Sequence, residues 1–183
     1  MRTMLKAMQK KNSGVSPDVL PIFEDILQKY GGQECDNEFS KAMEEYLSQE
    51  QRFRLYEQNG GCMGTGHNEK RNAFALEHAI LPLDERLALF SKTFDRQAVL
   101  NDDNTITVTF SCPHRYHKVK RDKGISTLLP PIKSYFERCA GGRLYEIQKA
   151  LGIKLRIKSV NTSPLDECFD NPVVYTLEIL DKN

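Results

Sequence analysis

Gln97-Ala98-Val99-Leu100-Asn101-Asp102-Asp103-Asn104-Thr105-Ile106-Thr107-Val108-Thr109-Phe110 is the stretch in which the chain changes its period. Ile106, Val108 and Phe110 alternate with threonines, the pattern of a half-buried strand rich in β-branched residues. The four residues before it, Asn101 to Asn104, are turn chemistry, so Gln97 to Leu100 reads as the first arm of a hairpin. Downstream, Ile153, Leu155, Ile157 and Ser159 alternate with Lys154, Arg156 and Lys158, giving a strand with one apolar and one cationic face, and Val173 to Leu180 reads as a closing strand.

Upstream the spacing is helical. Ser16-Pro17 offers a cap followed by proline at the first helical position, and Val19, Leu20, Phe23, Ile26, Leu27 and Tyr30 recur until Gly31-Gly32 stops the run. Asp36 is placed to cap a second run with Phe39, Ala42, Met43, Tyr46 and Leu47 on one stripe. Ser48-Gln49-Glu50-Gln51 is a capping box for a stretch through Phe53, Leu55 and Tyr56 that ends at Asn59-Gly60-Gly61. Further helices fit Asn68 to Ile80 and Leu83 to Phe94. After Pro130-Pro131 a short helix with Ile132, Tyr135 and Phe136 is expected to break at Cys139-Ala140-Gly141-Gly142. A second then carries Leu144, Tyr145, Ile147, Ala150 and Leu151 to Gly152. Helices followed by strands predict an α+β fold, with a helical N-terminal half packed on a small antiparallel sheet of about four strands. One domain over 1–183 is expected, helical over about 1–95 and α+β over about 96–183.

With 183 residues, 39% hydrophobic and 28% charged, the composition excludes collagen, coiled coil and mucin-like stalks. No apolar run approaches the ~18 to 20 residues that cross a bilayer, and Met1 to Lys6 contains no apolar signal core, so a cytoplasmic protein without a membrane partner is expected. Roughly 70% of the unfolded surface is buried at this length, so neither metal nor disulfide is needed to hold the fold. The net charge of +1 conceals a split: Thr109 to Val160 holds twelve basic and three acidic residues, a surplus of +9, and the remainder carries −8. Such polarity is a partner signal rather than a fold signal. The two regions can meet within one chain or across a homodimer.

Five cysteines, Cys35, Cys62, Cys112, Cys139 and Cys168, are an odd number, and without an export signal disulfides are the less expected use. Cys62 lies in Gly60-Gly61-Cys62-Met63-Gly64-Thr65-Gly66-His67, which is either a helix-to-helix turn or a ligand loop facing the helix that begins near Asn68. It lacks the Lys-Ser/Thr of a P-loop. Cys112, His114 and His117 place three thiolate or imidazole ligands within six residues, with an exposed turn as the plain alternative. Cys139, flanked by Arg138 and Arg143, would sit just before a helix N-terminus and be held toward thiolate, or else be a structural cysteine at a helix corner. Cys35, between Glu34 and Asp36, reads as inert, and His78, among Phe74, Ala75, Leu76 and Ile80, as a core or boundary histidine.

From Tyr135 to Leu180, about a quarter of the chain, the sequence resembles the C-terminal segment of 4-vinyl-reductase-like domains and the related aminothiazoline-carboxylate-hydrolase-like proteins. The residues that carry the likeness are Cys139, Gly141, Gly142, Gly152, Ser163, Asp166, Cys168 and the strand Val173 to Leu180. The loops around Cys62 and Cys112 are similar to those of bacterial proteins that combine such a domain with extra cysteines. The resemblance implies an α+β domain with a small-molecule cavity between helices and sheet, cysteines near its mouth and, in some members, a metal.

Three functions follow as expectations. The first is a binding protein for a small anionic molecule, with Arg115, Arg138, Arg143, Gly141 and Gly142 as ligand contacts. Cys62, Cys112, His114, His117 and Cys139 would be candidate ligands for zinc or iron in that site. The second is a hydrolase or transferase in which Cys139 is the nucleophile and His117 or His114 the base, or in which a metal-bound water attacks. The third, less favoured, is nucleic-acid binding through 115–158, where Lys118 to Lys123 and the Lys154, Arg156, Lys158 face supply cations and Tyr116 and Tyr135 could stack. Lysines on a strand face are more often solubilising.

Overall fold

The computed structural model describes residues 1–59, 65–110, 132–161 and 172–181. Helices α1 (Arg2–Met8), α2 (Leu20–Lys29), α3 (Gly32–Tyr46), α4 (Gln49–Asn59), α5 (Asn68–Glu77) and α6 (Leu83–Phe94) precede the hairpin β1 (Gln97–Leu100) and β2 (Thr105–Phe110). Helix α7 (Ile132–Leu151), β3 (Lys154–Asn161) and β4 (Val173–Asp181) follow. The strands form one antiparallel sheet in the order β1-β2-β4-β3. The α+β architecture expected from the change of period is therefore the one observed.

Local chemistry accounts for several boundaries. Ser48 and Gln51 close their capping box reciprocally: the Ser48 amide donates to Gln51 Oε1 at 2.8 Å and the Gln51 amide to Ser48 Oγ at 3.2 Å. The Ser16 hydroxyl accepts from the Asp18 amide and opens a single 3-10 turn, Pro17–Val19, before α2. In the hairpin turn Asn104 takes φ +61°, a left-handed conformation that asparagine tolerates better than most residues. Gly152, at φ +66°, ends α7 with its amide on the Gln148 carbonyl.

Three expectations need correction. Helix α3 starts at Gly32, four residues before Asp36, so Asp36 is not its cap. The helix expected over Asn68 to Ile80 stops at Glu77. Most consequentially, α7 runs unbroken from Ile132 to Leu151 through Cys139-Ala140-Gly141-Gly142. Each glycine costs about 1 kcal/mol relative to alanine in a helix interior, which is why the pair reads as a break. Here tertiary packing overrides that cost: α7 lies against the sheet and α4, α5 and α6, and all four small residues are buried.

Two apolar cores result. The larger joins the inner face of the sheet (Ala98, Ile106, Val108, Tyr175, Leu177, Leu155, Ile157) to α7 (Phe136, Ala140, Leu144, Ile147, Leu151) and to Phe74, Leu87 and Phe90 of α5 and α6. The smaller gathers Met4 and Met8 of α1, Phe23 and Ile26 of α2, and Phe39 and Met43 of α3. Helix α4 serves both, with Phe53 in the first and Leu55 and Tyr56 in the second.

Side chains cap backbone groups on both outer edges of the sheet. On the β3 edge the Leu155 amide donates to Gln148 Oε1 at 2.7 Å and the Ile157 amide to Glu57 Oε1 at 2.6 Å, while Arg54 reaches the Ile157 carbonyl. On the β1 edge Ser91 Oγ accepts from the Ala98 amide and donates to the Ala98 carbonyl, both at 3.2 Å. Unsatisfied edge groups would otherwise recruit another strand.

Candidate functional site

Helix α7 carries an apolar stripe and two carboxylates, Glu137 and Glu146, that are nevertheless buried. A carboxylate is removed from water only with cations or donors around it, so the surroundings of these two residues define the polar interior.

Glu137 is matched one to one. Arg52 of α4 grips it bidentately, Nε to Oε2 at 2.7 Å and Nη2 to Oε1 at 2.9 Å, and gives Nη1 to the Leu47 carbonyl at 2.8 Å. The hydrogen bond to Glu137 raises the Arg52 pKa above its ordinary value despite burial. Beside it the Tyr56 hydroxyl and Ser134 Oγ are 2.6 Å apart, and Glu44 Oε1 accepts the Ser134 amide in the first turn of α7. Burial pushes the Tyr56 phenol up to about 12. This centre is a satisfied polar seam between the two cores.

Glu146 is surrounded differently. Arg71 of α5 donates Nη2 to Oε1 at 2.7 Å, Arg143 places Nη1 2.6 Å from Oε2, and Arg96, between α6 and β1, brings Nε to 3.5 Å from the same Oε2. Three guanidinium groups thus converge on one carboxylate among the described residues. Arg71 also holds Asn68 Oδ1, and Asn68 Nδ2 donates to the Tyr145 hydroxyl at 2.8 Å, fixing the start of α5 to this face of α7. The guanidinium of Arg143 lies over the Phe110 ring, 4.6 Å from its centroid. Its side chain is only 7% exposed, yet neither Nε nor Nη1 makes a hydrogen bond, the short approach to Glu146 being an ion contact with the N–H off line.

Of the expected site residues that lie among the described residues, Arg143 alone enters this centre. Arg138 is half-buried on the same helix, where its charge acts on Tyr56. Five residues of helix turn it about 140° from Arg143, so the two do not form a clamp. The unbroken helix overturns two readings. Cys139 is in mid-helix, 3% exposed within the larger apolar core, and has no helix N-terminus to draw it toward thiolate. Gly141 and Gly142 lie beyond the first turn, where backbone amides bond to carbonyls four residues back and are not offered to a ligand.

Cys62, Cys112, His114, Arg115 and His117 lie outside the described residues, as do Ser163, Asp166, Cys168 and Lys118 to Lys123. Among the described residues no three His, Cys, Asp or Glu side chains are grouped to hold a metal, and no helix is long and apolar enough to cross a membrane. Cys35 is buried, and burial, then Asp36, raises its thiol pKa, consistent with an inert residue. His78 is half-buried with its ring 4.3 Å from that of Phe74, a boundary histidine. The cationic face of β3 is exposed, but Arg156 is in register with Glu178 and Lys158 bonds Asp103 at 3.1 Å.

Sequence reasoning missed Arg71, Arg96 and Glu146. For two of them a signal exists: Arg71 shares a helical stripe with Phe74 and His78, and Glu146 is an isolated acid between Leu144 and Ile147 in a basic segment. Arg96 has no such local mark. No family model, curated protein or solved structure matches the chain.

Proposed function

We propose that the protein binds a small anionic molecule at the guanidinium centre formed by Arg71, Arg96 and Arg143. The observation that carries this reading is Arg143, nine-tenths buried and permanently charged, with Nε hydrogen-bonded to no acceptor and Nη1 held only by an off-line ion contact to Glu146. A buried charged donor left without an acceptor costs a few kcal/mol, and an anion arriving there would remove the penalty. Access is supported by Arg96, whose side chain is 32% exposed and whose hold on Glu146 is at the limit of hydrogen bonding. The centre also lies at element ends: Phe110 closes β2, Asn68 opens α5 and Arg96 precedes β1.

The reactive-cysteine alternative loses its helix-terminus argument with Cys139 in the apolar core, and the nucleic-acid alternative is weakened by the acidic partners of the β3 cations. The test is thermal unfolding in millimolar phosphate, sulfate, acetate, succinate or citrate against chloride at equal ionic strength. At least one anion should raise the midpoint, and Arg143→Met should abolish the gain. If all five behave like chloride, the reading fails.

A further inference from the structure

Resting on that reading, we infer that the anion is a tetrahedral dianion of the phosphoryl class, presented by a small phosphorylated molecule, and that Arg143 and Arg96 are the pair that grips it.

The charges argue for a dianion. Arg71 and Glu146 Oε1 form a direct charge-assisted hydrogen bond at 2.7 Å, which leaves Arg143 and Arg96 to share the single remaining oxygen, Oε2. Among the described residues, one glutamate charge thus faces three guanidinium groups, an excess of two positive charges. A monocarboxylate would neutralise one of them; a phosphate monoester, at about −1.5 to −2 near neutral pH, neutralises both.

The directions argue for a tetrahedral group. Arg143 projects from the middle of α7 and Arg96 from the connection between α6 and β1, so their donors come from separate elements rather than from one planar fork. A carboxylate accepts best in its own plane, and Glu146 already fills that role. A phosphoryl group offers three oxygens pointing in different directions. Phe110 covers one face of the Arg143 guanidinium, leaving the in-plane N–H edge for the ligand. Arginine is the usual residue for such edge-on phosphate contacts.

Titration calorimetry of the full chain with inorganic phosphate, sulfate, glycerol phosphate, acetate and succinate tests the inference. Phosphate, sulfate and glycerol phosphate should bind at least about tenfold more tightly than acetate or succinate, succinate being the control for charge without tetrahedral shape. Glycerol phosphate binding more tightly than inorganic phosphate identifies a phosphorylated molecule as the occupant; the reverse order overturns that part and assigns the site to free phosphate. Arg96→Gln, at a partly exposed position, should keep the wild-type unfolding curve and weaken phosphate about tenfold or more. Arg143→Met should abolish binding, with circular dichroism confirming the fold. Succinate or acetate binding at the expense of phosphate overturns the phosphoryl assignment while leaving the anion site standing. Phosphate binding untouched by either variant overturns both, as does the absence of binding by any of the five.

Discussion

Two buried glutamates on one helix illustrate opposite solutions to the same problem. Among the described residues Glu137 has one cationic partner, Arg52, with Gln49 Nε2 as a weaker neutral donor at 3.4 Å, so removing either charge strands the other. Glu137→Gln should destabilise the protein by about 3 to 5 kcal/mol in urea unfolding, and the double variant Arg52→Met, Glu137→Leu should recover most of that loss. Tyr56 supplies a pH signature. Its phenol is pushed up to about 12, first by burial, against 10.0 for the ordinary group. The native state therefore keeps a proton that the unfolded chain releases. Stability from this source is complete below pH ~10 and is lost as pH rises through about 12, amounting to about 2 to 3 kcal/mol. Alkaline unfolding followed by tyrosinate absorbance should show this loss, and Tyr56→Phe should remove that part of the pH dependence. At this scale the sequence was only partly informative. The charge excess around Arg143 is visible in the residue count, but that Arg71 and Arg96 arrive beside it is a tertiary fact no local pattern encodes.

Among elements, legibility followed the range of the interactions that form them. Helix α6 has the bounds expected from its spacing, Leu83 to Phe94, and the hairpin and capping box were readable because turn and cap chemistry act within four residues. Helix α1 leaves no local signal: it has no side-chain cap and only seven residues, and is held by burial of Met4, Leu5, Ala7 and Met8 against the helices that follow. Helix α7 reads as two in the sequence because the propensity of its glycines carries no information about the neighbours that bury them. Ser48→Ala, which removes one half of the capping box, should cost about 0.5 to 2 kcal/mol with α4 fraying at its start, measurable by chemical denaturation. Ser91→Ala should act on association rather than on contacts, since it uncovers both backbone groups of Ala98. Light scattering on warming should report earlier aggregation than in Leu76→Ala, a change at an exposed apolar position.

Across the whole molecule the charge split proves to be organised through the interior. Both described acids of the basic segment, Glu137 and Glu146, are buried on arginines contributed by the acidic half, Arg52, Arg71 and Arg96. In return Glu44 and Glu57 of that half hold the backbone of α7 and β3. The two cores meet at the Arg52–Glu137 seam, and the smaller one contains no sheet. Native-state hydrogen exchange should show α2 and α3 opening at lower free energy than β2, β4 and α7, and Glu137→Gln should lower protection of α1 to α3 first. The capped groups on the sheet edges bear on how the chain is made. Ser91 precedes Ala98, and Arg54, Glu57 and Gln148 precede Leu155 and Ile157, so among the described residues each side chain that caps an edge group is synthesised before the strand it caps. The outer side of each edge strand thus finds its capping side chains already synthesised, whereas the inner side of β3 waits for β4, which follows it in the chain.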